Sequence, residues 1–125
     1  MGFASPQAAM RFYSEVINQH LFDALLQVLS DDVVFWFNSG SHRGIAAARL
    51  AFETTWSGID DERYWLEDMN WLSDDGSCAC CIYRFRWQGI VGGAPADGGG
   101  RGTTVLRRET AGWVIIHEHL SADPK

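Results

Sequence analysis

Four groups of side chains could do chemistry in this sequence. The first is His117, Glu118 and His119, near the end of the run WVIIHEHL. Drawn as a strand, the two imidazoles share one face about 7 Å apart, and Glu118 points the other way. An imidazole pair on one face is either an acid/base or metal-ligating pair, or a hydrogen-bonding pair on an outer sheet surface. No third histidine or carboxylate follows at ligand spacing, so no metal site is expected. The second group is Arg84 and Arg86 in CIYRFRW, two apart and so on one face. Arg84 has the parity to meet Glu118 across a sheet, where a guanidinium and a carboxylate fit geometrically. Such a pair either closes a cavity or anchors a ligand inside one. The third is Ser39, Ser41 and His42, a nucleophile type beside a base type. They share one loop with no strand–turn–helix elbow, which argues against a serine hydrolase. The fourth is Cys78, Cys80 and Cys81. A C-x-C-C run on a strand alternates faces, so the three cannot converge on one metal. Free thiols in a reducing, cytoplasmic setting are the expectation.

Elements must position these groups. The C-terminal stretch GRGTTVLRRETAGWVIIHEHLS reads as a hairpin, with β-rich runs over residues 103–108 and 113–120 around a turn at Glu109 to Gly112. Strict alternation puts Trp113, Ile115, His117 and His119 on one face of the second arm, and Val114, Ile116, Glu118 and Leu120 on the other. Both faces start apolar, so both need cover, one by helices and one by another layer or chain. Upstream, Ser5 before Pro6 starts a helix carrying Ala9, Phe12, Val16 and Ile17 at helical spacing. Phe22, Leu25, Leu26 and Leu29 predict a second, short helix; residues 33–37 a buried strand; Asn38 to Ser41 a loop; and residues 45–56 a third helix. Residues 63–72 and 77–88 are predicted strands, and the glycine-rich run 92–100 a mobile loop. Asp60, Asp61 and Glu62 read as a solvated edge. Three helices with one strand among them, then four antiparallel strands, make an α+β domain over residues 1–125.

The chain has 125 residues, 46% hydrophobic and 21% charged, enough for one core. Its net charge of −6 argues against nucleic acid. No apolar run reaches the roughly 18–20 residues of a membrane span. Aromatics at 13%, six of them tryptophan, suit a core, a pocket or an interface.

The element order, DD-x-x-x-x-F after the second helix, the helix GIAAARLAFETTW and the ending G-W-x-I-x-H-x-H-x-S together resemble the nuclear transport factor 2-like superfamily. Within it, the chain is similar to the SnoaL-like group and the association domain of calcium/calmodulin-dependent kinase II. The resemblance covers residues 8–121. It implies a cystatin-like fold, a curved antiparallel sheet wrapped as a cone around three N-terminal helices. It also implies a pocket between them and homodimers packed through the outer sheet face. The fold hosts isomerases, dehydratases, hydrolases and association modules, so it does not fix function.

Steroid-isomerase chemistry needs a carboxylate base, with a tyrosine and a protonated acid on the enolate oxygen. By resemblance the base falls on Phe37, the tyrosine on Phe12 and the acid on Thr104, none of which can fill its role; Tyr13 lies one residue, about 100°, around the helix. No catalytic residue is therefore assigned. The association domain's pocket arginine matches Arg84, while its other arginines match Thr104 and Leu120 and a histidine matches Ala48. The resemblance places Glu118 and Leu120 toward the pocket and the histidines outside. The expectation is a homodimeric module binding a small hydrophobic or carboxylate ligand through Phe37, Trp56, Arg84, Thr104 and Glu118. Trp113, Ile115, His117 and His119 form its dimer contact, and no cofactor is expected. The alternatives are a SnoaL-like isomerase, cyclase or dehydratase acting on a small hydrophobic carbonyl compound, and an oligomerisation hub.

Overall fold

A computed structural model describes residues 2–124. Helix α1 spans Pro6–Val16, and the Ala8 amide donates to the Ser5 hydroxyl at 3.1 Å. Such a cap satisfies one of the amides left without partners in the first turn. Two 3₁₀ segments follow, Ile17–Gln19 and Phe22–Val28. The second stands where a short α-helix was expected. Then come strand β1 (Leu29–Phe37), β2 (Gly40–Arg43), helix α2 (Ile45–Gly58), β3 (Asp60–Asp74), β4 (Cys78–Val91), β5 (Ala94–Glu109) and β6 (Gly112–Ala122). The strands form one sheet in the order β2-β1-β6-β5-β4-β3. It is not closed into a barrel, and its inner face shares one apolar core with the helices. Among the described residues, no helix is long and apolar enough to cross a membrane.

The α+β cystatin-like architecture matches expectation, with two refinements. The sheet is mixed, because β1 pairs parallel with β6 while its other pairings are antiparallel. The expected loop after β1 folds back as β2, with Phe37 opposite Gly40.

Two expectations fail for local reasons. The glycine-rich run is part of β5, in unbroken register with β4 from Val91↔Ala94 to Cys78↔Arg107. Its turn is tight because Gly92 and Gly93 take φ of 59° and 82°, which suits a two-residue hairpin. The neighbouring strand supplies the side-chain cover that the glycines lack. A Cβ at Gly98 would meet the Trp87 ring at 2.7 Å, and one at Gly100 would meet Phe85 at 2.8 Å. Aromatic rings thus lie flat over the glycines, the arrangement that stabilises glycine within a strand.

The second failure is on β6. Leu106 pairs with Ile115, but Val105 pairs with His117, so Ile116 is an extra residue. A bulge of one residue reverses which side chains face inward. Trp113 and Ile115 are therefore core residues, 4% and 0% exposed, and are not on the outer face. Only His117 and His119 of the expected dimer contact lie there. Downstream of the bulge, Glu118 and Leu120 face inward.

Candidate functional site

The bulge delivers Glu118 into the core, where it is 1% exposed. Three hydroxyls meet it. Tyr13, from α1, donates to Oε2 at 2.9 Å; Tyr83, from β4, donates to Oε1 at 2.8 Å; Thr104, from β5, donates to Oε1 at 3.3 Å. The Tyr83 and Thr104 oxygens are themselves 2.8 Å apart. Among the described residues no cation pairs with this carboxyl. Burial penalises its charge and the hydroxyls favour it; burial prevails, and its pKa is pushed up to about 7. Burial, and then the charge of Glu118, hold the Tyr13 and Tyr83 phenols well above their usual range.

Beside this cluster lies a cavity of about 270 Å³. Its walls are mostly rings: Phe37 from β1, Phe52 and Trp56 from α2, Tyr64 from β3, and Phe85 and Trp87 from β4. Phe52 meets Phe37 edge-on with centroids 5.8 Å apart and tilts against Trp56 at 5.5 Å. Tyr64 stacks on Phe85 at 6.0 Å, and Asn18 clamps the Tyr64 backbone at both its N–H and its carbonyl. Glu62 also faces the cavity, with its side chain 6% exposed. Burial raises its pKa.

Phe37, Trp56 and Glu118 line the cavity. Thr104 is fully buried behind Glu118 and holds it. Arg84 is elsewhere. On β4 the inward side chains are Ala79, Cys81, Tyr83 and Phe85, so Arg84 and Arg86 sit on the outer face. Arg84 pairs with Asp123 at 3.0 Å, and Arg86 with Asp123 at 3.5 Å and Glu67 at 3.4 Å. The expected Arg84–Glu118 pair does not form, because the two residues are on opposite sides of the sheet; Tyr83 has the position proposed for Arg84. An outer groove of about 420 Å³ includes Arg84, Arg101 and His119.

His117 and His119 are outside too. His117 Nδ1 lies 2.7 Å from the Val34 carbonyl, and Trp36 stands edge-on to both imidazoles, 46% exposed itself. Among the described residues no group of three or more metal-ligating side chains converges. Ser39 and His42 are 3.2 Å apart on the exposed β1–β2 hairpin. Cys81 is buried, which pushes its thiol up to about 12, and all three cysteines are free.

Sequence reasoning missed Tyr13, Tyr83 and Glu62. Spacing held the signal: Ala9, Tyr13 and Ile17 repeat every four residues along α1 and into the turn after it, and Glu62, Tyr64 and Leu66 alternate on β3. Phe12 instead sits half-buried against Phe3, centroids 4.9 Å apart.

The family model of the SnoaL-like domain matches residues 7–124. No curated protein matches the sequence. A nuclear transport factor 2-like superfamily protein from Salmonella enterica superposes with a TM-score of 0.85 at 19% identity, over 94% of this chain and 87% of that one. A protein from Xanthomonas campestris, assigned as a calcium/calmodulin-dependent protein kinase II association domain, gives 0.82 at 15% identity, over 100% and 96%. An uncharacterised cystatin-like protein from Caulobacter vibrioides gives 0.79 at 16% identity, over 94% and 87%. At these identities the likeness is one of fold.

Proposed function

The chain belongs to the SnoaL-like family, and from that premise we propose that it binds a small, largely apolar molecule in the cavity between sheet and helices. The observation that carries this reading is a ring-walled space of about 270 Å³ next to a fully buried carboxyl held by neutral hydroxyls. An apolar pocket with a few placed polar groups is the usual form of a small-molecule site. A dry cavity of about 150 Å³ holds a benzene, so this one has room for a fused two-ring compound. Native mass spectrometry of the purified protein, gentle against denaturing, tests it. A small molecule released on denaturation is the expected result. If none is released and no aromatic fragment raises the melting temperature, the reading fails.

A second reading is acid/base catalysis on a small carbonyl compound, by an isomerase or dehydratase of this family. It is favoured by Glu118, which exchanges its proton near neutrality and touches Tyr13 in the cavity wall. Phe37 still stands where the resemblance puts the base, so the steroid-isomerase arrangement is not reproduced. Turnover of cyclic enones, abolished by Glu118→Gln, would establish this reading over simple binding.

The protein is further proposed to be a homodimer joined through the outer sheet face, which presents Trp36, His117 and His119 around an exposed indole. Sedimentation separates this from a hub: a dimer supports it, a larger ring supports the hub. Three free cysteines support a reducing, cytoplasmic location.

A further inference from the structure

Glu62 is a second carboxyl facing the same cavity, and its surroundings differ from those of Glu118. The acceptor capacity of Glu118 is taken up by three hydroxyls. Glu62, with a side chain only 6% exposed, has among the described residues His20 as its polar neighbour, Nε2 to Oε1 at 3.8 Å. That distance is beyond a hydrogen bond. Buried carboxylates normally find donors, and the open side of this one is the cavity. His20 is held in place. It adopts φ of 56°, a left-handed conformation uncommon outside glycine, and its ring stacks on Trp56 with centroids 5.2 Å apart and planes 15° from parallel.

The two carboxyls come from different parts of the sheet. Glu118 lies in the row Thr104–Cys81, whereas the backbone of Glu62 lies against Gly89, whose Cβ would come within 3.3 Å of the Glu62 Cα. The two side chains therefore enter the cavity from separate rows.

We propose that Glu62, beside His20, is the donor-accepting pole of the cavity, so that the ligand is a fused-ring-sized aromatic or alicyclic compound carrying a hydroxyl or amine at that end. This rests on the reading of the cavity as a binding site. The ring walls take the apolar body, and Glu62 takes the N–H or O–H of the ligand.

The test uses two fluorescent probes of similar shape, 2-naphthol, which has a donor, and 2-methoxynaphthalene, which has none. Binding is titrated to the wild-type protein and to Glu62→Met and Glu62→Gln, with circular dichroism confirming each fold. The expected result is at least a tenfold preference for 2-naphthol in the wild type, a few-fold preference in Glu62→Gln and none in Glu62→Met. Equal binding of both probes by the wild type, or a preference that survives Glu62→Met, overturns the assignment and leaves the cavity reading standing. If neither probe binds the wild type, both readings fall. Should Glu62→Met not fold, the isosteric Glu62→Gln decides: an undiminished preference there overturns the proposal.

Discussion

On the inner face of the sheet, Glu118 is buried among Tyr13, Tyr83 and Thr104 with neutral partners only. On the outer face, Arg84 and Arg86 share Asp123, each of the three between a third and two-fifths exposed. Outside, water screens charge and full ionisation costs little, so these pairs can be made and broken freely. Inside, the carboxyl is held by hydroxyl dipoles, which leaves its proton close to balance near neutral pH. The carboxyl whose proton lies close to balance is therefore the one without a cation, and the ion pairs on the far side serve the surface.

The sharpest way to break this comparison is to place the same new charge on either side of the β6 bulge. Ile115→Glu puts a carboxylate into the core at a position 0% exposed. It should cost more than about 4 kcal/mol and leave unfolded or insoluble protein. His119→Glu, past the bulge and facing out, should change monomer stability by no more than about 0.5 kcal/mol, while weakening the proposed dimer in sedimentation. If the two variants unfold alike, the bulge assignment is wrong.

The next effect is a pH slope. Glu118 binds its proton more tightly folded than unfolded, about 7 against an ordinary 4.5. The folded state therefore holds more protons between those values, and stability falls as pH rises from about 4.5 to about 7. The loss is about 3 kcal/mol. Burial of Glu62 adds to the slope, and His20, whose pKa is lowered by burial, opposes it. Asp32, Glu67 and Asp75 are held low by hydrogen bonds and titrate below this window. Denaturant melts at successive pH values should show that Glu118→Gln removes most of the slope, because the other groups are common to both proteins. An equal slope in the variant would show that Glu118 is not its source.

Tyr13→Phe should cost about 1.5–3 kcal/mol where Glu118 is ionised, as expected for one hydrogen bond to a charged acceptor. It should also raise the Glu118 midpoint further, since the Tyr13 hydroxyl favours the ionised form. Loss of stability with no movement of that midpoint would separate packing from hydrogen bonding. The smallest effect belongs to Arg84→Ala. With its partner exposed, it should change stability by less than about 1 kcal/mol and leave probe binding in the cavity untouched. A large loss would mean that the outer pairs are not simply solvated.

The sequence made the element order legible, because Ser5 before Pro6, the four-residue repeats and the hairpin of β5 and β6 are local signals. It also singled out Phe37, Trp56 and Glu118, three residues of the cavity wall, through parity and resemblance. It could not show the bulge at Ile116, since alternation carries no mark of an inserted residue and the register is set by the facing strand. That one residue moved Trp113 and Ile115 from the surface to the core. Arg84 was misplaced for a different reason: matching a relative's pocket arginine overrode the Tyr83 and Phe85 alternation on the same strand. The glycines of β5 read as a loop because the rings that cover them are ten or more residues away in the chain. Glu62 read as solvated because it follows two aspartates, although Tyr64 and Leu66 share its face.

The parallel pairing of β1 with β6 has a consequence for how the molecule is made. β1 lies between β2 and β6, and β6 lies between β1 and β5, so the last strand of this sheet to be made joins its two parts. Until Gly112–Ala122 emerges, β1 and its hairpin have no link to β3, β4 and β5, and the hydroxyls of Tyr13, Tyr83 and Thr104 lack the residue that gathers them. Folding must then wait for contacts more than 80 residues apart, such as Val34 with His117, a topology that slows closure and leaves the nascent edges exposed to other chains. Pulse-chase proteolysis of stalled nascent chains should find protection arriving abruptly with β6 and not element by element.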